Sequence, residues 1–216
     1  PLSQDELTRL LGVNEYLGGS LDRRGGNLHP LNYALGLADA AERHGAQIYG
    51  SSRVTGFDPQ DGAVIVQTAQ GSVTAPKVLI CTNAYTGYLG NPQCKPVVPV
   101  TSVQVATAPL SDNIAQSILP EGHAVSDSRR VLIYFRKDAA GRFVIGGRGA
   151  TRDANVRTRQ AELRTKAEQL YPQLKGAAWT HAWGGDVAMP HEILPGIPIL
   201  PPGDRAGMGL TGRGYA

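Results

Sequence analysis

The run Lys77-Val-Leu-Ile-Cys-Thr82 constrains the fold more than any other stretch of this 216-residue chain. It is short, near-continuously apolar and flanked by polar residues. Such a run predicts a strand buried on both faces, as in the parallel sheets of α/β proteins. Cys81 is expected to be one of its buried residues. What precedes it fits that class. Pro30 suits a helix start, Leu31, Ala34, Leu35, Ala38 and Ala41 recur at helical spacing, and Gly45 supplies a stop. The alanines on this helix predict a buried face closely packed on a sheet. Ile48, Ser52–Phe57, Ala63–Thr68 and Gly71–Thr74 read as short strands, with turns at Asp61-Gly62 and Gln70-Gly71.

A second texture surrounds this one. Ser3-x-x-Glu6 is a capping box leading into Leu7, Leu10 and Leu11, and Tyr16–Leu21 reads as a short strand. Beyond Pro96, alternating valines from Val97 to Val105 predict a strand, and Ser111 caps a short helix reaching Leu119. Val131–Arg136 and Arg142–Gly147 form a hairpin around Asp138-Ala-Ala-Gly141. Thr158–Tyr171 is a helix with Leu163, Ala167 and Leu170 on one face. Trp179–Val187 reads as a strand, Pro190–Pro202 as a proline-rich loop and Gly207–Leu210 as a last strand. The expected class is therefore mixed, α/β with α+β character, on a mixed β-sheet.

Composition excludes several functions. A net charge of +3 is too mild to imply nucleic acid. The basic series Arg148, Arg152, Arg157, Arg159, Arg164 and Lys166 falls partly on an amphipathic helix and reads as a solvated face. Two cysteines support no disulfide framework, so a reducing cytoplasm is the default. No apolar run reaches the length of a membrane span. The five histidines show no metal-ligand spacing, and no nucleophile elbow or phosphate-binding lysine loop is present.

Three segments carry candidate chemistry. Thr82-Asn83-Ala84 follows the apolar strand directly, where ligands bind in open α/β sheets, although a plain asparagine turn reads equally well. Gly207-x-Gly209-x-x-Gly212 has the spacing of a dinucleotide fingerprint, but only four residues follow it, so a tight turn at a strand end fits as well. Its glycines would let backbone N–H groups close on an anion or an electron-rich ring. On the predicted hairpin, Tyr134 and Phe135 point to opposite faces. Tyr134 either orients a substrate through its hydroxyl or packs across the strands. Arg148, after two glycines, either clamps a carboxylate or lies on the surface.

Taken in order, these segments resemble the D-amino-acid-oxidase-like family of FAD-dependent amine oxidoreductases, in particular its gamma-glutamylputrescine oxidase branch. The shared pieces are Gly18-Gly-Ser-Leu-Asp22, Gly25-Gly-Asn-Leu-His-Pro30, Gly45-Ala46, Thr82-Asn-Ala-Tyr85, Arg129–Arg136, Gly146-Gly-Arg-Gly149, Trp183-Gly-Gly185 and the glycine-rich terminus. The resemblance implies FAD as cofactor, a small amine as substrate and oxygen as acceptor. It implies that residues 27–95 and 183–216 belong to an FAD-binding domain, with 1–26 and 96–182 in a substrate domain. By the same resemblance Val54 lies at the adenine, and Thr82, Asn83 and Ala84 at the pyrophosphate and ribose. Trp183, Gly184 and Gly185 lie beside the isoalloxazine, and Gly209, Leu210, Thr211, Gly212, Arg213 and Gly214 wrap its pyrimidine edge. Tyr134 and Arg148 position the substrate. The chain would then be an internal piece of a longer polypeptide, partnered by an N-terminal half that carries the family's glycine fingerprint. A non-catalytic ligand-binding subunit and a nicotinamide-dependent dehydrogenase fragment are the rival readings.

Overall fold

The computed structural model describes residues 1–86, 97–129, 131–149, 156–190, 199–200 and 204–206. It divides into two units: one of Pro1–Leu35 with Thr101–Gly185, the other of Gly36–Val100 with Asp186–Ala216.

The first unit is a sheet covered on one face by helices. Strand β1 (Leu2–Ser3) pairs antiparallel with β2 (Gly18–Gly19), which is all that forms of the strand expected over Tyr16–Leu21. Between them lies α1 (Gln4–Leu11). The Ser3 Oγ accepts from the Glu6 N–H at 3.3 Å and the Glu6 carboxylate accepts from the Ser3 N–H at 2.8 Å, so the capping box is present in full. Leu7, Leu10 and Leu11 are buried, and Gly12 closes the helix at φ 75°.

The second helix, α2 (Pro30–Arg43), starts at Pro30 as expected, and the unit boundary falls within it. Its expected buried face is not there: α2 contains no buried residue, and Leu31 is 62% exposed. The periodicity was apolar enough to cover a sheet, but no described sheet lies against that face.

The second unit opens with the meander β3 (Val54–Gln60), β4 (Ala63–Thr68) and β5 (Ser72–Ala75), antiparallel throughout. Gly62 at φ 75° makes the first hairpin turn. No strand forms at Ile48. The run that promised a doubly buried strand yields only β6 (Leu79–Ile80). Ile80 is buried, but Leu79 and Cys81 are exposed. Cys81 is therefore not a core residue. The cause is incomplete cover: among the described residues β6 pairs with a single strand, and it borders an open cavity.

The chain then runs through β7 (Val97–Pro109), α3 (Asp112–Ser117), β8 (Val125–Ser126), β9 (Ile133–Lys137), β10 (Arg142–Arg148), α4 (Val156–Leu170) and β11 (Trp179–Pro190). These strands build the five-stranded sheet of the first unit, in the order β11-β7-β10-β9-β8. Ser111 precedes α3 without a side-chain cap bond. The β9–β10 turn is fixed by Asp138, whose Oδ1 accepts from the N–H groups of Ala140 and Arg142, both at 2.9 Å. Pairing of Gly146 with both Tyr134 and Gln104 sets the register. Val103, Val105, Ile133, Phe135, Phe143 and Ile145 alternate onto the inner face. There they meet Leu163, Ala167 and Leu170 of α4, as expected, together with α1. Phe135, Phe143 and Tyr171 form an aromatic trio with centroids 5.5–5.9 Å apart, Tyr171 edge-on to both phenylalanines.

In the second unit β12 (Ile199–Leu200) pairs antiparallel with β13 (Asp204–Ala206), and β13 runs parallel to β6. The proline-rich segment thus contains a strand. The expected strand Gly207–Leu210 lies outside the described residues. No described helix is long and apolar enough to cross a membrane.

Candidate functional site

A cavity of about 960 Å³ opens in the second unit. Its walls come from β3, β4 and the segment from Val78 to Thr86. Val54, Phe57, Val66, Leu79 and Ile80 make it largely apolar, with Ser52, Arg53, Thr82 and Thr86 at its polar margins. Two candidates chosen from sequence, Val54 and Thr82, are therefore brought to one cavity although they are 28 positions apart.

The segment after β6 is built by local hydrogen bonds. Residues Asn83–Tyr85 form one turn of 3₁₀ helix. The Thr86 hydroxyl donates to the Asn83 carbonyl at 2.7 Å and lies 2.8 Å from the Thr82 hydroxyl. Asn83 is held at φ 47°, a conformation asparagine tolerates better than most residues. Its Oδ1 is buried with no hydrogen-bond partner among the described residues. A buried acceptor left unpaired costs about 1–3 kcal/mol, so such atoms are normally satisfied. Tyr85 is anchored from β11, where the Asp186 N–H donates to its hydroxyl at 2.8 Å. Sequence reasoning missed Phe57, Val66 and Thr86 as wall residues. The i, i+4 threonine pair around Asn83 was the available signal.

The apolar slot and its hydroxyl-bearing edge fit the adenosine end of a dinucleotide. Val54 and Thr82 are the residues that would hold it, whereas Asn83 and Ala84 do not line the cavity. Gly209, Leu210, Thr211, Gly212, Arg213 and Gly214 fall outside the described residues.

The first unit carries the other candidates. Tyr134 lies on the sheet face opposite Phe135, its ring over Gly146. A Cβ on Gly146 would stand 2.2 Å from Tyr134 Cε2 and 2.7 Å from Gln104 Cγ, so only glycine leaves room for the ring. The Tyr134 hydroxyl is hydrogen-bonded to the Ser102 hydroxyl. Burial pushes the Tyr134 phenol above its ordinary pKa, partly opposed by that bond, so it stays protonated at neutral pH. Ser102, Gln104 and Arg136 share this face by alternation. Arg136 Nη1 donates to the Leu28 carbonyl at 2.7 Å, tying down the segment before α2.

Arg148, at the end of β10, lines a second cavity that Tyr134 does not reach. Trp183 is 43% exposed on β11. Gly184 packs tightly on β7, where a Cβ would lie 3.2 Å from the Ser102 carbonyl oxygen. Gly185 ends the first unit. Among the described residues no cluster of His, Cys, Asp and Glu could hold a metal ion.

The described residues thus combine an apolar cavity at a strand end with a separate β-sheet bearing polar residues on one face, in a fold of mixed α/β class. Comparison with known proteins agrees. The family model described as DAO, FAD dependent oxidoreductase, matches residues 1–215. The chain belongs to the DAO family of FAD-dependent oxidoreductases, whose cofactor is FAD. It is 35% identical to the probable oxidoreductase OrdL of Rhizobium meliloti (strain 1021), over 99% of this chain and 51% of that protein. It is 32% identical to the gamma-glutamylputrescine oxidoreductase of Escherichia coli (strain K12), over 99% of this chain and 50% of that protein. The chain thus spans about half the length of these relatives. Among solved structures, glycine oxidase from Geobacillus kaustophilus superposes with a TM-score of 0.79 at 21% identity, covering 97% of this chain and 57% of that one. Iminodiacetate oxidase from Chelativorans sp. BNC1 gives 0.71 at 19%, covering 97% and 57%.

Proposed function

We infer that the chain is part of an enzyme that oxidises an amine or an amino-acid derivative, such as a gamma-glutamylated polyamine, and passes the electrons to oxygen with release of hydrogen peroxide. The observation that carries this reading is the cavity uniting Val54 with Thr82, in a chain of the DAO family. Bound FAD supplies a hydride acceptor; the protein supplies binding and orientation. Residues 27–95 and 183–216 then serve the cofactor, Trp183–Gly185 and Gly209–Gly214 on the flavin side, while 1–26 and 96–182 serve the substrate.

On the substrate side, Tyr134 orients the amine. Its hydroxyl is held by Ser102 and its ring is fixed over Gly146, so it meets the substrate in one rotamer. Such positioning is the main demand of hydride transfer, which needs no strong base. The cytoplasm is the compartment that suits the free Cys81 thiol.

The test is an absorbance spectrum of protein expressed from the complete reading frame. Flavin bands that bleach anaerobically with a gamma-glutamylated amine, and return with peroxide when air is admitted, are the expected result. Folded protein without flavin bands refutes the cofactor assignment. Bands that bleach with no amine or amino acid in a broad panel favour a non-catalytic subunit.

A further inference from the structure

The second cavity, about 270 Å³, lies in the first unit between the ends of β9 and β10 and one face of α4. Four cationic side chains line it: Arg129, Arg148, Arg159 and Lys166. Three of them are neutralised within the protein. Arg129 Nη2 and Lys166 Nζ share Glu15 Oε1 at 2.8 and 3.2 Å, and Arg129 Nε also faces Asp127 at 3.4 Å. Arg159 pairs with Glu162 one helical turn away. Arg148 has no hydrogen bond or ion pair among the described residues. Among the described residues the cleft therefore holds one positive charge without a counter-charge beside pairs already satisfied.

Its floor is apolar. Ile133 and Leu163 are each 7% exposed, and Val131 and Leu132 add aliphatic surface at the rim. Gly147 lets α4 come this close: a Cβ there would lie 3.3 Å from Leu163 Cδ2. The volume falls just below the roughly 300 Å³ at which pockets for drug-sized ligands begin.

We propose that this cleft is a binding site for a compact aliphatic monocarboxylate, its head on the Arg148 guanidinium and its chain on the Ile133–Leu163 floor. A guanidinium without a partner among the described residues suits one carboxylate, which it takes bidentately. Inorganic phosphate would satisfy Arg148 but leave the apolar floor wet. Glu162 lines the same cleft and opposes an incoming anion, which sets the sign of a second test.

The experiment is calorimetric titration of the full chain with sodium hexanoate, with sodium phosphate as the control; it needs no flavin and is independent of the amine-oxidation reading. Hexanoate is expected to bind saturably with a dissociation constant on the order of 1 mM. R148Q should weaken it at least tenfold and R148K less, because ammonium keeps the charge but loses the fork. E162Q should tighten it severalfold, a gain that damage to the fold cannot produce. The proposal is overturned by hexanoate that does not saturate, by phosphate binding as tightly as hexanoate, or by folded R148Q that binds like the wild type.

Discussion

Gly12 and Gly141 have the same backbone conformation and different surroundings, so together they separate two costs. Both sit at φ 75°, in the first unit. Around Gly141 nothing lies within 4 Å of an added Cβ. Replacing it with alanine charges only the left-handed penalty, about 1–2 kcal/mol. At Gly12 the same Cβ would stand 2.1 Å from the Ser117 carbonyl oxygen and 3.2 Å from its carbon. These are backbone atoms at the end of α3, with no rotamer to yield. Separation requires moving α1 from α3, and overpacking of this kind costs about 1–3 kcal/mol more. Gly12→Ala is therefore expected to lose about 2–5 kcal/mol and Gly141→Ala about 1–2, read by urea unfolding followed in the near-ultraviolet. Equal losses in the two variants would show that α1 and α3 do not approach as described.

Removing the Tyr171 hydroxyl should cost only about 1 kcal/mol, at the low end for a buried bond. Its acceptor, the Leu11 carbonyl, keeps a second donor in the Leu119 N–H at 3.2 Å, and a thermal melt of Tyr171→Phe measures the loss. Gly146→Ala should displace the Tyr134 ring and raise the KM for the amine more than it lowers kcat, and steady-state kinetics of the flavoenzyme decide this. Lys166, by hydrogen bond and charge, and then Arg129 hold the Glu15 carboxyl below its ordinary pKa. The stability this lends is complete above the unfolded-state carboxylate pKa and is lost as pH falls through the lower folded value. Glu15→Gln should therefore flatten the acid limb of a stability–pH profile.

What could be read from the sequence was what local chemistry determines. The capping box at Ser3, the Asp138–Gly141 turn and the Leu163–Ala167–Leu170 stripe all depend on neighbours within one or two turns, and all formed as expected. Some local expectations failed, as the strand at Ile48 and the Ser111 cap did, and the larger failures were statements about cover. Cys81 and the alanines of α2 have apolar patterns that promise burial, and whether burial follows depends on what packs against them. The site divided in the same way. Val54 and Thr82 were reachable through the family pattern, and the cavity joins them. The Tyr134–Ser102 bond was not, because it needs the register of β7, β10 and β9 together. The spacing that suggested a solvated basic face did not separate Arg159 and Lys166, which have carboxylate partners, from Arg148, which has none among the described residues.

The first unit is assembled from two stretches of chain with Gly36–Val100 between them. Leu11 accepts the Tyr171 hydroxyl from 160 residues away. During synthesis at about 5–20 residues per second, α1 is therefore complete roughly 8–32 s before the tyrosine that secures it exists. An isolated helix of eight residues is marginal in water. Leu7, Leu10 and Leu11 wait through that interval without the partners that bury them here, so the order of translation makes α1 among the last pieces of its unit to lock.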